Sequence, residues 1–245
     1  MRYLLTVAYD GSHYYGWQRQ KNFITVQQCL EESLSELLKQ TISVRGSSRT
    51  DTGVHALGQR AVFEAESSIP PEKMPFAANA FLPDDIVVRG CTEVSTDFHP
   101  QNSVYKKTYV YRILNDTFPD PMLRNYTEFV HTKLDVDKMN KACEYFLGEH
   151  DFAAFCASGS TAKTTVRTIF DLKAEKRDNI IYITVTGSGF LYNMVRIITG
   201  TLIAVGQNKL SPYDIKQIIL SKDRTKAGMT VSPNGLLLKE IYYKT

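Results

Sequence analysis

Apolar and polar residues alternate from the start of the chain: Tyr3, Leu5, Val7 and Tyr9 fall on one face of a period-two pattern, which predicts a strand over 3–9. Thr25 and Gln28 then stand at capping-box spacing. They precede a stripe of Val26, Leu30, Leu34, Leu37 and Leu38 that repeats with the helical period. Strands are expected at 42–46 and 59–66. A short helix is expected over 75–81, with Pro75 in its first turn, and a further strand over 85–94. The order is β-α-β-β-α-β.

The rest of the chain repeats that order. A strand is predicted at 107–114. A helix over 136–147 buries Met139, Ala142, Cys143, Phe146 and Leu147, with Gly148 as its stop. Strands at 166–174 and 180–186 are joined through an Asp178-Asn179 turn, and a helix over 191–205 stops at Gly206. A second helix starts at Ser211-Pro212, and a strand over 235–243 closes the set. Each half fits a split β-α-β unit. The expected fold is therefore α+β: two RRM/ferredoxin-like halves, 1–102 and 103–245, with mainly antiparallel sheets joined side by side and a cleft between them. The boundary near Asn102 carries no low-complexity linker, which implies tightly packed halves. No residue-level repeat relates them.

Composition narrows the class. The 245 residues are 43% hydrophobic and 22% charged, as expected of a packed fold. No apolar run is long enough to span a bilayer, and no secretory segment precedes the first strand. The expected location is cytoplasmic, with no membrane partner. A net charge of +3 permits nucleic acid as a partner without arguing for it. Cys29, Cys91, Cys143 and Cys156 are scattered, with no C-x-x-C pair and no histidine at zinc-ligand spacing. They are expected to be reduced core thiols, and no metal site is predicted.

Candidate chemistry concentrates in Gly46-Ser47-Ser48-Arg49-Thr50-Asp51-Thr52-Gly53-Val54-His55-Ala56, a small and polar stretch between two predicted strands. A carboxylate and a guanidinium, Asp51 and Arg49, share this loop. An isolated Asp-Thr-Gly is most simply a turn ending at glycine. It is also the loop of aspartic proteases, whose dyad needs two carboxylates sharing a proton. With one such triplet, a protease would have to be a homodimer. The polar Ser48-Arg49-Thr50 lead-in and the adjacent arginine argue against that reading.

Arg49-Thr50-Asp51-Thr52-Gly53-Val54-His55-Ala56 resembles the signature loop of the tRNA pseudouridine synthase A family. Other segments agree in order. Tyr9-Asp10-Gly11 with Tyr15-Gly16-Trp17-Gln18 resembles the family's first strand and loop. Lys106-Lys107-Thr108-Tyr109-Val110-Tyr111 resembles its basic, tyrosine-bearing strand, and Phe190-Leu191-Tyr192-Asn193-Met194-Val195-Arg196 its late helix motif. Leu82-Pro83 before Asp85-Ile86, and Asp97-Phe98-His99, fit as well. The sequence departs from the family at Ser48, where Gly is frequent, at Thr52, where Ala is frequent, and at Asn193, where His is frequent.

The resemblance implies conversion of uridine to pseudouridine in tRNA, at uridines 38 to 40 of the anticodon arm, by a homodimer without a cofactor. It implies Asp51 as the nucleophile, Arg49 at the base-flipping step, Tyr109 stacked on the target uracil, and Arg196 as a cation beside the catalytic carboxylate. The chemistry fits: breaking N1–C1′ and joining C5 to C1′ needs neither redox change nor group transfer, and the chain has no phosphate-binding loop or dinucleotide fingerprint. Attack at C6, attack at C1′ and proton removal at C2′ all remain open for Asp51. On a helix, Asn193, Arg196 and Gly200 share a face opposite Met194, Val195, Ile198 and Leu202, which lets Arg196 look into the expected cleft. Lys106, Lys107, Arg19 and Arg45 are candidate ligands of the RNA backbone. A non-catalytic pair of RRM-like modules would explain the fold and Lys106-Lys107, but not Asp51 beside Arg49 in a glycine-bounded loop.

Overall fold

The computed structural model describes residues 1–244. Its strands are β1 (Arg2–Tyr9), β2 (Val44–Gly46), β3 (His55–Glu64), β4 (Ile86–Val94), β5 (Val104–Leu114), β6 (Glu128–Phe129), β7 (Gly148–Asp151), β8 (Val166–Arg177), β9 (Ile180–Gly187) and β10 (Leu236–Tyr243). Its helices are α1 (Val26–Leu38), α2 (Met74–Asn79), α3 (Val136–Cys143), α4 (Met194–Gly206) and α5 (Asp214–Ser221). The architecture is α+β with mostly antiparallel strands. The chain divides into two units, Met1–Tyr105 together with the chain from Leu237 onward, and Lys106–Leu236.

In the first unit the strand order is β4-β1-β3-β10, with β2 paired to β3. β1 runs antiparallel to both β3 and β4, while β10 is parallel to β3 through Leu237–His55 and Leu238–Ala56. This is the order of a split β-α-β unit. Val26, Leu30 and Leu34 of α1 are buried, as the helical stripe predicts, and Thr25 accepts from the Gln28 N–H at 3.4 Å as the N-cap. On the same helix, Gln27 and Glu31 are also buried. Gln27 Nε2 donates to the Val44 carbonyl at 2.9 Å, and Glu31 accepts from the Val44 N–H at 3.0 Å, so two polar side chains satisfy the open edge of β2.

In the second unit the order is β5-β9-β8-β7, with β6 parallel to β5. The β8–β9 hairpin turns at Asp178, whose φ of 54° is the left-handed conformation that the Asp178-Asn179 signal anticipates. α3 begins at an Asp135 cap and passes into a short 3-10 turn, 144–146, so the predicted helix over 136–147 is in fact two segments. α4 is buried at almost every position rather than along one stripe.

Three of the departures from the sequence pattern have a clear physical reason. β3 begins at His55, not near residue 59, because the parallel partner β10 extends it. α4 starts at Met194 because Asn193 has φ 58°, which ends any helix before it. The strand expected to close the second half, 235–243, is grouped with the first unit. That pairing links residues about 180 positions apart, and no local periodicity reports it. The four cysteines are free thiols; Cys143 is buried, whereas Cys29, Cys91 and Cys156 are partly exposed.

Candidate active site

The loop from Ser47 to Val54 joins β2 to β3. Its stem is locked by backbone and amide contacts: the Ser47 N–H donates to the Arg60 carbonyl at 2.8 Å, and Nε2 of the fully buried Gln59 donates to the Ser48 carbonyl at 2.8 Å. Thr50 is buried, with its hydroxyl 2.8 Å from that of Tyr9. The Thr50 carbonyl accepts from the Trp17 N–H at 3.1 Å, and the Tyr14 carbonyl accepts from the Gly53 N–H at 3.3 Å. The loop then reverses at Asp51–Val54, where the Val54 N–H donates to the Asp51 carbonyl at 3.1 Å and Gly53 takes φ 78°. Thr50 is thus pinned inward. Asp51 is half-buried, and Arg49 and Thr52 on either side of the pair are exposed.

Glycines make this packing possible at two points. A Cβ on Gly16 would lie 2.5 Å from the Thr50 carbonyl oxygen and 3.1 Å from the Asp51 carbonyl carbon, and Gly16 itself sits at φ 81°. Gly11 is pressed as closely against the Val54 carbonyl, and its N–H donates to Nδ1 of the buried His55 at 3.0 Å. The Tyr9–Gln18 segment therefore forms the floor of the Asp51 loop. Two motifs separated by some thirty residues in sequence prove to be two sides of one construction.

In the second unit Tyr109 is buried on β5, opposite Val185, with its ring edge-on to Phe190 at 5.2 Å. Tyr111, on the same face of β5, is fully buried and donates to the Ser232 carbonyl at 2.7 Å, a core contact. Arg196 is half-buried at the start of α4. Its Nε donates to the Val231 carbonyl and its Nη1 to Asn193 Oδ1, each at 2.7 Å. Gly200, one turn on, lies directly beneath the Met229 carbonyl. Arg196 and Gly200 both meet a strip of chain over 228–231, which covers the Gly200 end, whereas Asn193 stands just outside the helix rather than on its face.

Sequence comparison identifies the family to which the chain belongs. A family model described as tRNA pseudouridine synthase matches residues 5–101 and 142–244. The tRNA pseudouridine synthase A of Thermoanaerobacter sp. (strain X514) is 48% identical over 240 residues, covering 98% of both chains. That of Acetivibrio thermocellus is 49% identical over 239 residues, again 98% of both. The tRNA pseudouridine synthase A 2 of Clostridium perfringens is 48% identical over 239 residues at the same coverage.

The chain belongs to the tRNA pseudouridine synthase family. It is an isomerase that converts uridine to pseudouridine in tRNA. The resemblance read from the four motifs is thereby shown, and the protease and passive RNA-binding readings fall away.

Within this pseudouridine synthase the basic candidates differ in their surroundings. Arg19 donates to Glu31 at 2.8 Å and lies 3.6 Å from Glu32, so it neutralises the buried Glu31 that supports β2. Arg45 is exposed on β2, whereas Lys106 and Lys107 are half-buried on β5. Burial, with help from the nearby Arg167, lowers the Lys107 ammonium to about 8. Sequence reasoning passed over Thr50 and Tyr9 as anchors of the loop, Asn193 as the holder of Arg196, and Phe190 as the partner of Tyr109. The signals were there: Thr50 and Phe190 lie inside the quoted motifs, and an asparagine before a helix is a candidate for the left-handed conformation.

Proposed function

We propose that this synthase acts on the anticodon stem-loop, at uridines 38 to 40, with Asp51 as the nucleophile. The observation that carries the assignment of Asp51 is the loop itself. Thr50 is fixed inward by Tyr9 and Trp17, and the chain turns back at Gly53, so the Asp51 carboxylate is presented from a rigid backbone. Preorganisation of this kind is what a group acting on one atom of a bound nucleotide requires.

The target base has to leave its stack before a carboxylate reaches it, at a cost of about a few kcal/mol. Arg49, exposed two residues from Asp51, takes the role of stabilising the flipped state; its planar, permanently charged fork suits either a phosphate or a vacated stack. Tyr109 stacks on the uracil, its ring set at a fixed angle by Phe190. Its hydroxyl is suited to assist proton removal from C5. Arg196 is a substrate-binding cation whose direction is fixed by Asn193 and Val231. Lys106, Lys107 and Arg45 contact the RNA backbone; Arg19, engaged with Glu31 and Glu32, contributes least. The rearrangement conserves atoms and oxidation state, so no cofactor is needed. The active form is a homodimer in the cytoplasm.

Mapping pseudouridines in tRNA from cells with and without this protein tests the substrate assignment. Loss confined to positions 38 to 40 is the expected result, and loss at any other arm of the tRNA would overturn it. Sedimentation of the purified protein tests the homodimer.

A further inference from the structure

Three strands of the second unit meet at one level. Lys107 of β5 pairs with Gly187 of β9, and Ile169 of β8 pairs with Gly187 from the other side. Residues opposite one another in antiparallel strands point to the same face, so Lys107 and Ile169 share one. Gly187 leaves space between them: a Cβ there would meet Ile169 Cδ1 at 3.1 Å and Phe190 Cζ at 3.2 Å. Phe190 fills that space and reaches Tyr109, the next residue of β5 on this face.

Arg167, two residues before Ile169, lies against Gly189, where a Cβ would be 3.6 Å from its Nε and 3.7 Å from its Cδ. Its Nη1 is tied to the carbonyls of Thr164 and Val166 at 2.9 and 2.6 Å. Those bonds fix the plane of the guanidinium and use only one of its three nitrogens. Among the described residues no carboxylate pairs with Arg167, and Gly189 adds no side chain that would screen Nε. Desolvation acts on Arg167 and on Lys107, and the charge of Arg167 opposes that of Lys107. The two charges repel one another, and a phosphate bound at Arg167 offsets that repulsion. A planar fork beside a point charge suits the two exposed oxygens of a phosphodiester.

We infer that Arg167, with Lys107 beside it, binds one phosphate of the tRNA backbone, the one flanking the uridine that Tyr109 receives. The position of that phosphate rests on the proposed role of Tyr109; the phosphate contact itself does not.

The test uses full-length tRNA carrying single methylphosphonate linkages around the uridine that the enzyme converts, bound to wild type, Arg167→Gln and Arg167→Lys over a range of salt. Arg167→Gln is expected to weaken binding and lower the salt slope by about 1, while Arg167→Lys keeps most of the slope. A methylphosphonate next to the converted uridine is expected to weaken wild type but to have no further effect on Arg167→Gln. An unchanged slope in Arg167→Gln that melts like wild type would overturn the inference. So would methylphosphonate penalties that add to that of Arg167→Gln at every linkage. A linkage silenced far from the converted uridine would overturn the placement. Should Arg167→Gln melt early, Lys107→Met reads the same slope from the other cation, and an unchanged slope there counts equally against the inference. The Tyr109 reading fails by a separate result: wild-type turnover by Tyr109→Ala, with the Arg167 slope intact.

Discussion

Gly16 and Thr50 meet backbone to backbone, so closely that a Cβ on Gly16 would stand 2.5 Å from the Thr50 carbonyl oxygen. Neither partner in the overlap is the end of a flexible side chain, so the clash has no easy relief. Gly16 also holds φ 81°, where a side chain is strained in any case.

Gly16→Ala is therefore expected to lose stability by about 1–3 kcal/mol, the range for a residue forced into a sparsely populated backbone region. A domain of this size loses about 2–4 °C of melting temperature per kcal/mol. Turnover should fall more than stability does, because the displaced atoms belong to Thr50 and Asp51. Thermal melting and single-turnover pseudouridine formation measure the two effects. Full activity in Gly16→Ala would show that the loop does not depend on this contact.

Asn193 supports Arg196 in two separable ways, by its left-handed backbone and by its Oδ1 acceptor. Asn193→Gly keeps the first and removes the second. Its melting temperature should stay close to wild type, because glycine adopts this conformation readily. Turnover should drop as Arg196 loses its orientation. Asn193→Ala loses both and should melt lower as well. Unchanged kcat and KM in Asn193→Gly would separate Arg196 from Asn193.

Most of the fold was readable because both units obey local rules. The stripe on α1, the Thr25 cap and the Asp178 turn were read from spacing alone. The Asp51 loop was read from motif content. The packing of Gly16 beneath that loop was not, because it joins backbone atoms about thirty-five residues apart, and close approach between backbones leaves no periodic trace. The return of β10 to the first unit was hidden for the same reason. The engagement of Arg19 was not legible, because Glu31, its partner, is a buried acid on an otherwise regular amphipathic helix. A charge inside a core face is the exception that pattern reading treats as solvent-facing.

Lys107 gives a pH test with a definite sign. Its pKa is lowered to about 8 by burial and by Arg167, below the ordinary lysine value. Between about 8 and that ordinary value, the unfolded chain holds a proton that the folded chain has released. Stability therefore rises with pH across this window. Lys107→Met should flatten that rise, as followed by urea unfolding at a series of pH values. A rise of equal size in wild type and Lys107→Met would assign it to other groups.

The central claim is that Asp51 performs chemistry rather than holding the loop. Asp51→Asn keeps the size and removes the charge. The direct measurement is the single-turnover rate of pseudouridine formation in tRNA by Asp51→Asn, with melting temperature and tRNA affinity recorded on the same preparation. The account predicts wild-type folding, nearly unchanged affinity and no detectable product. Substantial pseudouridine formed by a well-folded, tRNA-binding Asp51→Asn enzyme would contradict it.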